Sequence, residues 1–240
     1  HLTAQREAEW AEMKRYLANE RCLMQFLSES LDDAGAQPCG RCTVCLGRPL
    51  LPVGLQRRTQ LEALRFVRHS EMVLEPKKQW DASALTQYQT AFGWRGAKIP
   101  IALHAEEGRI LSRWSEPVWG ELVAQGKAKG RFSDELLDAA VDLLRNRWGA
   151  VAPVAWVTCI PSMRQPNLVP DFASRLAAAL GVPFRAVIGK SRETEPQKYM
   201  ENRFHQCQNL DGAFIIHPEA GSDQPVLLVD DVVDSAWTLT

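Results

Sequence analysis

Apolar residues in the first third of the chain recur at steps of three and four positions, which is the period of one face of an α-helix. Residues 5–31 carry this pattern without a proline or glycine and predict one long helix or two abutting helices, and residues 57–74 predict another. Short helical patterns follow in residues 96–114 and 134–149. The last of these begins after Ser133, whose hydroxyl is a typical N-cap. The pattern up to residue 150 is therefore mainly helical.

From residue 151 onward, short apolar runs alternate with helical segments. The predicted strands are residues 155–161, 184–189, 212–217 and 226–231. Between the first two lies a predicted helix, residues 170–183, which ends at Gly181. Strands and helices in alternation predict an α/β unit with a parallel sheet.

The composition is that of an ordinary globular protein rather than a disordered or fibrous one. Charged residues make up 24% and apolar residues 45% of the 240 residues. No apolar run approaches the ~20 residues that a membrane span needs, and no secretory signal is visible. A cytoplasmic protein without membrane contact is expected. Because the chain begins with His1 rather than Met, it is expected to be a fragment or a processed product.

The cysteines are the most informative residues. Four of the six have the spacing C-x16-C-x2-C-x2-C, namely Cys22, Cys39, Cys42 and Cys45. Two-residue gaps let successive thiolates converge on one metal ion, with Cys22 on its helix as the fourth ligand. Gly40 suits the knuckle because it can adopt a positive φ. The pattern predicts a structural Zn²⁺ site.

Two alternatives to zinc remain open for this cluster. The local C-x2-C-x2-C run matches the first three ligands of a bacterial ferredoxin, but Pro49 stands where the fourth cysteine is expected. An iron–sulfur cluster would therefore need Cys22 as a remote ligand. The other alternative is a set of cysteines without a metal. Cys159 and Cys207 lie in or near predicted elements and are interpreted as packed thiols.

The segment CLMQFLSESLDDAGAQPCGRCTVC, residues 22–45, resembles the zinc-binding segment of RecQ-type DNA helicases. In that family the zinc module follows two motor lobes, which bind ATP and Mg²⁺, and precedes a winged helix that binds duplex DNA. The resemblance implies an accessory DNA-binding region of an ATP-dependent 3′–5′ helicase in repair and recombination. It also implies a location in the bacterial cytoplasm, at the nucleoid. The motor lobes are not in this sequence.

The stretch from 51 to 100 is basic, with eight basic and four acidic side chains. The resemblance places a winged helix here, and basic groups at a helix start and in a hairpin-like turn suit contacts with DNA phosphates. The predicted contacts with duplex or branched DNA are Arg57, Arg58, Lys77, Lys78, Arg95 and Lys98. The alternative is a solvated basic surface, with Trp80 and Trp94 in the core.

The last segment, VLLVDDVVDSAWTLT, resembles the ribose-phosphate loop of type I phosphoribosyltransferases. The upstream segments AWVTCIPSMRQPN and PQKYMENRFHQCQNLDGAF are similar to the competence-protein ComF branch of that family. The resemblance implies that Asp230 and Asp231 face a ribose, with Mg²⁺ and phosphoribosyl pyrophosphate as ligands. It implies that Ser235 and Thr238 face the phosphate. Asp234 stands where the pattern has a threonine or a catalytic acid.

Two positions in this loop depart from the pattern. Ala236 and Trp237 stand where the family prefers glycine, and a side chain there is penalised at positive φ. The sequence also ends at Thr240, inside the expected phosphate-binding helix, so the domain is expected to be incomplete. The resemblance makes a phosphoribosyltransferase-type enzyme the alternative to the helicase interpretation. A zinc-dependent interaction module without a nucleic-acid partner is a third.

Together these patterns predict a multidomain protein. An α-helical zinc-binding module is expected over 1–50 and a winged-helix-like α(+β) domain over 51–150. A truncated α/β phosphoribosyltransferase-like domain with a parallel sheet is expected over 151–240. Gly189-Lys190-Ser191 resembles the end of a Walker A loop, but Phe184 stands where the motif needs glycine, so no ATP site is expected.

Overall fold

The computed structural model describes residues 2–93, 96–148, 154–195, 197–220, 224–234 and 236–239. The chain forms two compact units, His1–Ala63 and Leu64–Thr240. No helix in the described part of the chain is long and apolar enough to cross a bilayer.

The first unit is helical. Its helices are α1 (Leu2–Leu17), α2 (Leu23–Ser30), α3 (Thr43–Leu46) and the first part of α4 (Arg57–Arg68). The segment predicted as one or two helices over 5–31 is two helices. The chain leaves the helical path at Asn19, whose side chain accepts from Arg21 N at 3.1 Å and donates to Arg21 O at 3.2 Å. This local bonding competes with the helix and ends α1.

The first unit has almost no apolar core. Among its described residues, only Cys22 and Cys42 are buried. The rings of Tyr16 and Phe26 pack with their centroids 5.7 Å apart and join α1 to α2. A unit this small that buries cysteines instead of large apolar side chains needs another source of stability, such as a metal ion.

The second unit mixes helices and short strands. Its strands are β1 (Met72–Leu74), β2 (Gly108–Ile110), β3 (Trp156–Cys159), β4 (Ile188–Lys190), β5 (Phe214–Ile216) and β6 (Val226–Val229). Its α-helices are α5 (Thr86–Phe92), α6 (Trp119–Lys129), α7 (Asp134–Asp142), α8 (Leu168–Leu180) and α9 (Arg203–Leu210). One π-helical turn, Leu143–Arg147, continues α7, and 3-10 turns lie at Ile101–Leu103, Gln197–Tyr199, Pro218–Ala220 and Trp237–Leu239.

The strands form three two-stranded sheets in the described part of the unit. β3 and β6 pair in parallel, with Trp156 opposite Val226, and a parallel bridge joins Val157 to Phe184. The parallel pairing predicted for the last region is therefore confirmed at β3 and β6. It is wrong for β4 and β5, which pair antiparallel with Ile188 opposite Ile216.

Two helical predictions in the middle region are wrong. The helix predicted over 57–74 ends at Arg68, and Met72–Leu74 is strand β1. Residues 108–110, predicted to be helical, form β2 and pair antiparallel with β1. Leu74 lies so close to Gly108 that a Cβ there would be 3.3 Å from the leucine side chain. This long-range contact, which local periodicity does not encode, favours the strand pair.

The cores of the second unit combine the middle and last regions of the sequence. One cluster packs Trp80, Leu85 and Ile99 against Leu210 and Trp237. Another packs α6 and α7 against α8 and β6. The compact units therefore differ from the three predicted domains, because apolar side chains on both sides of the predicted boundary at 150/151 share the same cores. The fold is mixed α and β, with small sheets.

Candidate metal centre and strand-end cavity

The four cysteines of the predicted metal site converge in the first unit. The sulfur atoms of Cys22, Cys39, Cys42 and Cys45 all lie within 4.8 Å of one another. Cys22 is the N-cap of α2, with φ −52° and ψ 122°, so it precedes the helix rather than lying on it as predicted. Cys42 is the N-cap of α3. The two buried cysteines of this cluster, Cys22 and Cys42, therefore each precede the first turn of a helix.

Backbone amides surround the sulfurs. Cys22 Sγ accepts from Cys39 N at 3.1 Å and from Gln25 N at 3.4 Å. Cys42 Sγ accepts from Cys45 N at 3.4 Å. Gly40 has φ +69°, as the knuckle interpretation requires. Amide donors stabilise negative charge on sulfur and orient the thiolates for a metal ion.

The same donors shift the pKa values of the thiols. Backbone hydrogen bonds from Cys39 and Gln25 lower the pKa of Cys22. The backbone amide of Cys45 lowers the pKa of Cys42 to about 6. The side-chain hydrogen bond with Cys42 raises the pKa of Cys45 to about 11. The amide donors and the hydrogen bonds between the thiols therefore shift the pKa values of these cysteines in opposite directions.

This donor set fits a metal ion. Four thiolates repel one another at such distances, and a divalent cation removes that repulsion. A tetrahedral thiolate set with no open position is the arrangement of a structural Zn²⁺ site. The chemistry of the ligands and their convergence are therefore compatible with structural zinc.

The predicted DNA-contact residues lie in both units. In the first unit Arg57 and Arg58 are exposed on α4, and Arg58 Nε lies 2.8 Å from Glu62 Oε1. In the second unit Lys78 and Lys98 are exposed. Arg95 and Trp94 lie outside the described residues.

A hairpin-like pairing brings the second-unit lysines together. Ile99 N donates to Lys78 O at 3.0 Å, Trp80 N donates to Ala97 O at 2.9 Å, and an antiparallel bridge joins Gln79 to Lys98. We call residues 77–80 and 97–99 the basic hairpin. Trp80 is 4% exposed and belongs to the core. The structure therefore places Lys77, Lys78 and Lys98 on two paired segments.

Carboxylates cluster where β6 ends. Asp231 N donates to Asp230 Oδ1 at 2.8 Å, and the Lys127 ammonium lies 2.5 Å from Asp231 Oδ2. A cavity of about 50 Å³ opens beside them. Its polar lining consists of Gln197, Asp230, Asp234 and Thr238. Three of the five predicted ribose-phosphate residues thus share one cavity, while Asp231 pairs with Lys127 and Ser235 lies outside the described residues.

Burial sets the electrostatics of this strand end. Burial, followed by repulsion from Asp231, raises the pKa of Asp230 to about 7. Burial raises the pKa of the Cys159 thiol to about 11, and nearby Asp230 adds to the effect. Burial also lowers the pKa of Lys190, whose ammonium donates to Thr194 Oγ1 at 3.0 Å. The cavity is an acceptor-rich site with two lysines close to its carboxylates.

Several residues at this site were not predicted from the sequence. Lys127 is 104 positions from Asp231, and no local pattern links them. Gln197 lines the cavity, and its Oε1 is buried without a hydrogen-bond donor among the residues that the structure describes. The sequence singled out Lys190 only as part of Gly189-Lys190-Ser191, which is not a complete Walker A motif. Only the tertiary structure brings these cations to the strand end.

The two residues that depart from the phosphoribosyltransferase pattern, Ala236 and Trp237, differ in their structural roles. Ala236 has φ +62°, so the strain expected for a side chain at this position is present. Trp237 is 9% exposed and packs in the core with Trp80 and Cys207. Cys207 and Cys159 are both buried thiols, as predicted.

No protein-family model matches the chain, and no curated protein or solved structure matches it. Three features of the molecule point to its function: the cysteine cluster, the basic hairpin and the strand-end cavity.

Proposed function

We propose that this protein is an accessory, DNA-binding region of a RecQ-like ATP-dependent helicase that acts in DNA repair or recombination. The observation that carries the proposal is the four-cysteine cluster, whose sulfurs lie within 4.8 Å of one another. The order and spacing of Cys22, Cys39, Cys42 and Cys45 are those of the zinc segment that the sequence resembles. Four thiolates in this spacing favour Zn²⁺ in a structural role.

The basic hairpin supports the DNA-binding part of the proposal. Lys78 and Lys98 are exposed on paired segments, so both ammonium groups are accessible to the phosphates of a duplex. Lysines are flexible point charges that bind phosphates without reading bases. The expected partner is therefore duplex or branched DNA, bound without strong sequence preference.

The proposed role is to hold DNA for a motor rather than to move along it. Phe184 replaces the glycine that a phosphate-binding loop needs before Gly189-Lys190-Ser191. ATP hydrolysis and its Mg²⁺ would belong to the motor lobes of the parent helicase. We expect this protein alone to bind DNA and to leave ATP intact. A bacterial cytoplasmic location, at the nucleoid, accompanies the proposal.

The proposal is tested by fluorescence anisotropy with a labelled forked duplex between 50 and 200 mM NaCl. Each phosphate contact should contribute about −0.9 to the slope of log K against log salt. Lys78→Ala and Lys98→Ala should each reduce the slope by about 1 and weaken binding to all sequences alike. Lys129→Ala, an exposed lysine in the last turn of α6, is the matched control. Binding that does not respond to salt would contradict the proposal.

The strand-end cavity supports a second candidate function, binding of a phosphorylated ribose. Asp230, Asp234 and Thr238 line one cavity and can accept hydrogen bonds from ligand hydroxyls. The ligand of a phosphoribosyltransferase-type enzyme would be phosphoribosyl pyrophosphate with Mg²⁺. Calorimetric titration with that ligand and Mg²⁺ should show binding that Asp230→Asn weakens. Absence of heat at millimolar ligand would eliminate this candidate and leave the DNA proposal unaffected.

A further inference from the structure

The basic hairpin forms one wall of a shallow groove in the second unit. The groove has a volume of about 400 Å³ and is open to solvent. Its lining residues are Glu75, Pro76, Lys77, Lys78, Gln79, Arg203 and Trp237. Arg203 and Trp237 come from the last forty residues, so the groove joins parts of the sequence that were expected to belong to separate domains.

Arg203 is held in the groove by one contact with the hairpin and one with Trp237. Its Nη2 donates to Trp80 O at 2.9 Å, and its Cζ lies 5.3 Å from the centroid of the Trp237 ring. Asn202 Oδ1 accepts from His205 N at 3.0 Å and caps the helix that Arg203 begins. The side chain remains exposed, and a guanidinium has five donors, of which this bond uses one.

Lys77 is positioned on the same indole. Its ammonium lies 4.4 Å from the centroid of the Trp237 ring. Trp237 is itself fixed, since its Nε1 donates to Gln206 Oε1 at 2.8 Å and its side chain is 9% exposed. A rigid indole that contacts two cations restrains both before any ligand arrives. Restrained side chains lose less conformational entropy on binding an anion.

We propose that this groove binds the phosphate backbone of duplex DNA, with Arg203 and Lys77 as contacts alongside Lys78 and Lys98. The inference rests on the proposed DNA-binding function and extends it to the last region of the chain. An enclosed site would suit a small phosphate, because small-molecule pockets bury most of their ligand. An open groove, continuous with the basic hairpin, suits a long polyanion that stays largely in solvent.

One acidic residue in the groove provides a test in which a substitution should strengthen DNA binding rather than weaken it. Glu75 lines the groove and would repel a phosphate there. Glu75→Gln should therefore tighten DNA binding by about twofold or more at 100 mM salt. An effect of this direction cannot come from damage to the fold.

The direct test measures the affinity of Arg203→Ala, Arg203→Lys and the wild type for the same forked duplex. Arg203→Ala should reduce the salt slope by about 1 and weaken binding by about threefold or more. Arg203→Lys keeps the charge and should recover most of the slope. Lys129→Ala is the control, and thermal melting verifies that each variant is folded.

The outcomes separate this inference from the proposed function. If Lys78→Ala weakens binding while Arg203→Ala and Glu75→Gln leave it unchanged, the groove inference fails and the DNA proposal stands. If the wild type binds no DNA, both fail. Inorganic phosphate should compete no better than chloride at equal ionic strength. Stronger competition by phosphate would overturn the assignment to a DNA backbone in favour of a free phosphate.

Discussion

The Lys127 ammonium lies 2.5 Å from Asp231 Oδ2 and joins the last turn of α6 to the loop that follows β6. Both side chains are partly buried, at 32% and 17% exposed. Gln165 Nε2 donates to Lys127 O at 2.8 Å and holds the same turn from another side. The ion pair therefore balances one of two adjacent carboxylates with a cation from a distant helix.

Lys127→Met should leave Asp231 unpaired beside Asp230. We expect the free energy of unfolding at pH 8 to fall by about 1–3 kcal/mol, because a partly buried charge loses its partner. Urea denaturation followed by circular dichroism measures the change. Lys129→Met removes an exposed lysine from the same helix and serves as the control. Equal stability of the two variants would show that the ion pair contributes nothing.

Asp230 should make the second unit less stable as the pH rises from about 4 to 7. The native carboxyl has its pKa raised to about 7 and keeps its proton in this range, while the unfolded chain releases it. Asp230→Asn should remove this slope and add up to about 4 kcal/mol at pH 8. Denaturation at pH 5 and pH 8 tests this, with exposed Asp138→Asn as the control. A pH slope that persists in Asp230→Asn would contradict the assignment.

The cysteine cluster should bind one metal ion for each chain. Elemental analysis of the purified protein should find zinc, and Cys22→Ser should abolish it while Cys207→Ser retains it. Chelation should unfold the first unit, because few of its side chains are buried without the metal. Loss of helical circular dichroism and rapid proteolysis before residue 64 would report this. Iron in place of zinc would support the iron–sulfur alternative, and neither metal would eliminate the site.

Asp211 should stabilise α5 from a distance. Its carboxylate is 5% exposed and accepts from Thr86 Oγ1 at 3.1 Å, Gln87 N at 2.9 Å and Tyr88 N at 3.1 Å. Asp211→Ala should cost about 1–3 kcal/mol, because three donors at the start of α5 lose their carboxylate acceptor. Asp211→Asn keeps one acceptor oxygen and should cost less. Identical denaturation midpoints for Asp211→Ala and the wild type would refute this role.

Ala236→Gly should stabilise the loop after β6. Ala236 has φ +62°, a conformation that costs an L-residue roughly 1–2 kcal/mol and costs glycine little. After the greater chain entropy of glycine is subtracted, a gain of about 0.5–1 kcal/mol is expected. Ala128→Gly, in the exposed face of α6, should show a loss of similar size. A loss at both positions would mean that Ala236 is not strained.

The features that the sequence predicted correctly depend on neighbours in the chain. The C-x2-C-x2-C knuckle brings its sulfurs together through turns of a few residues, with Gly40 at positive φ. Ser133 caps α7 by accepting from Leu136 N at 3.3 Å, only three residues away. The strands around Trp156 and Val226 were likewise visible as short apolar runs. Local spacing and apolar pattern are sufficient for such features.

The structural features that the sequence did not predict depend on residues far apart in the chain. β1 and β2 form because Met72 meets Ile110, although both segments have helical periodicity. Asp211 reaches the start of α5 across more than 120 positions, with Tyr88 N 123 residues away. Contacts of this kind cross the predicted domain boundary at 150/151, and the local sequence pattern does not reveal them.

The amino-acid sequence by itself determined the four cysteines of the candidate metal centre, the carboxylates at the end of β6 and the lysines of the hairpin. Tertiary structure alone decided that Lys127 neutralises Asp231 and that Arg203 and Trp237 join Lys77 in one groove. The reason is physical: residue type sets the chemistry that a side chain can perform, whereas the packing of apolar side chains between distant segments decides which of those side chains meet.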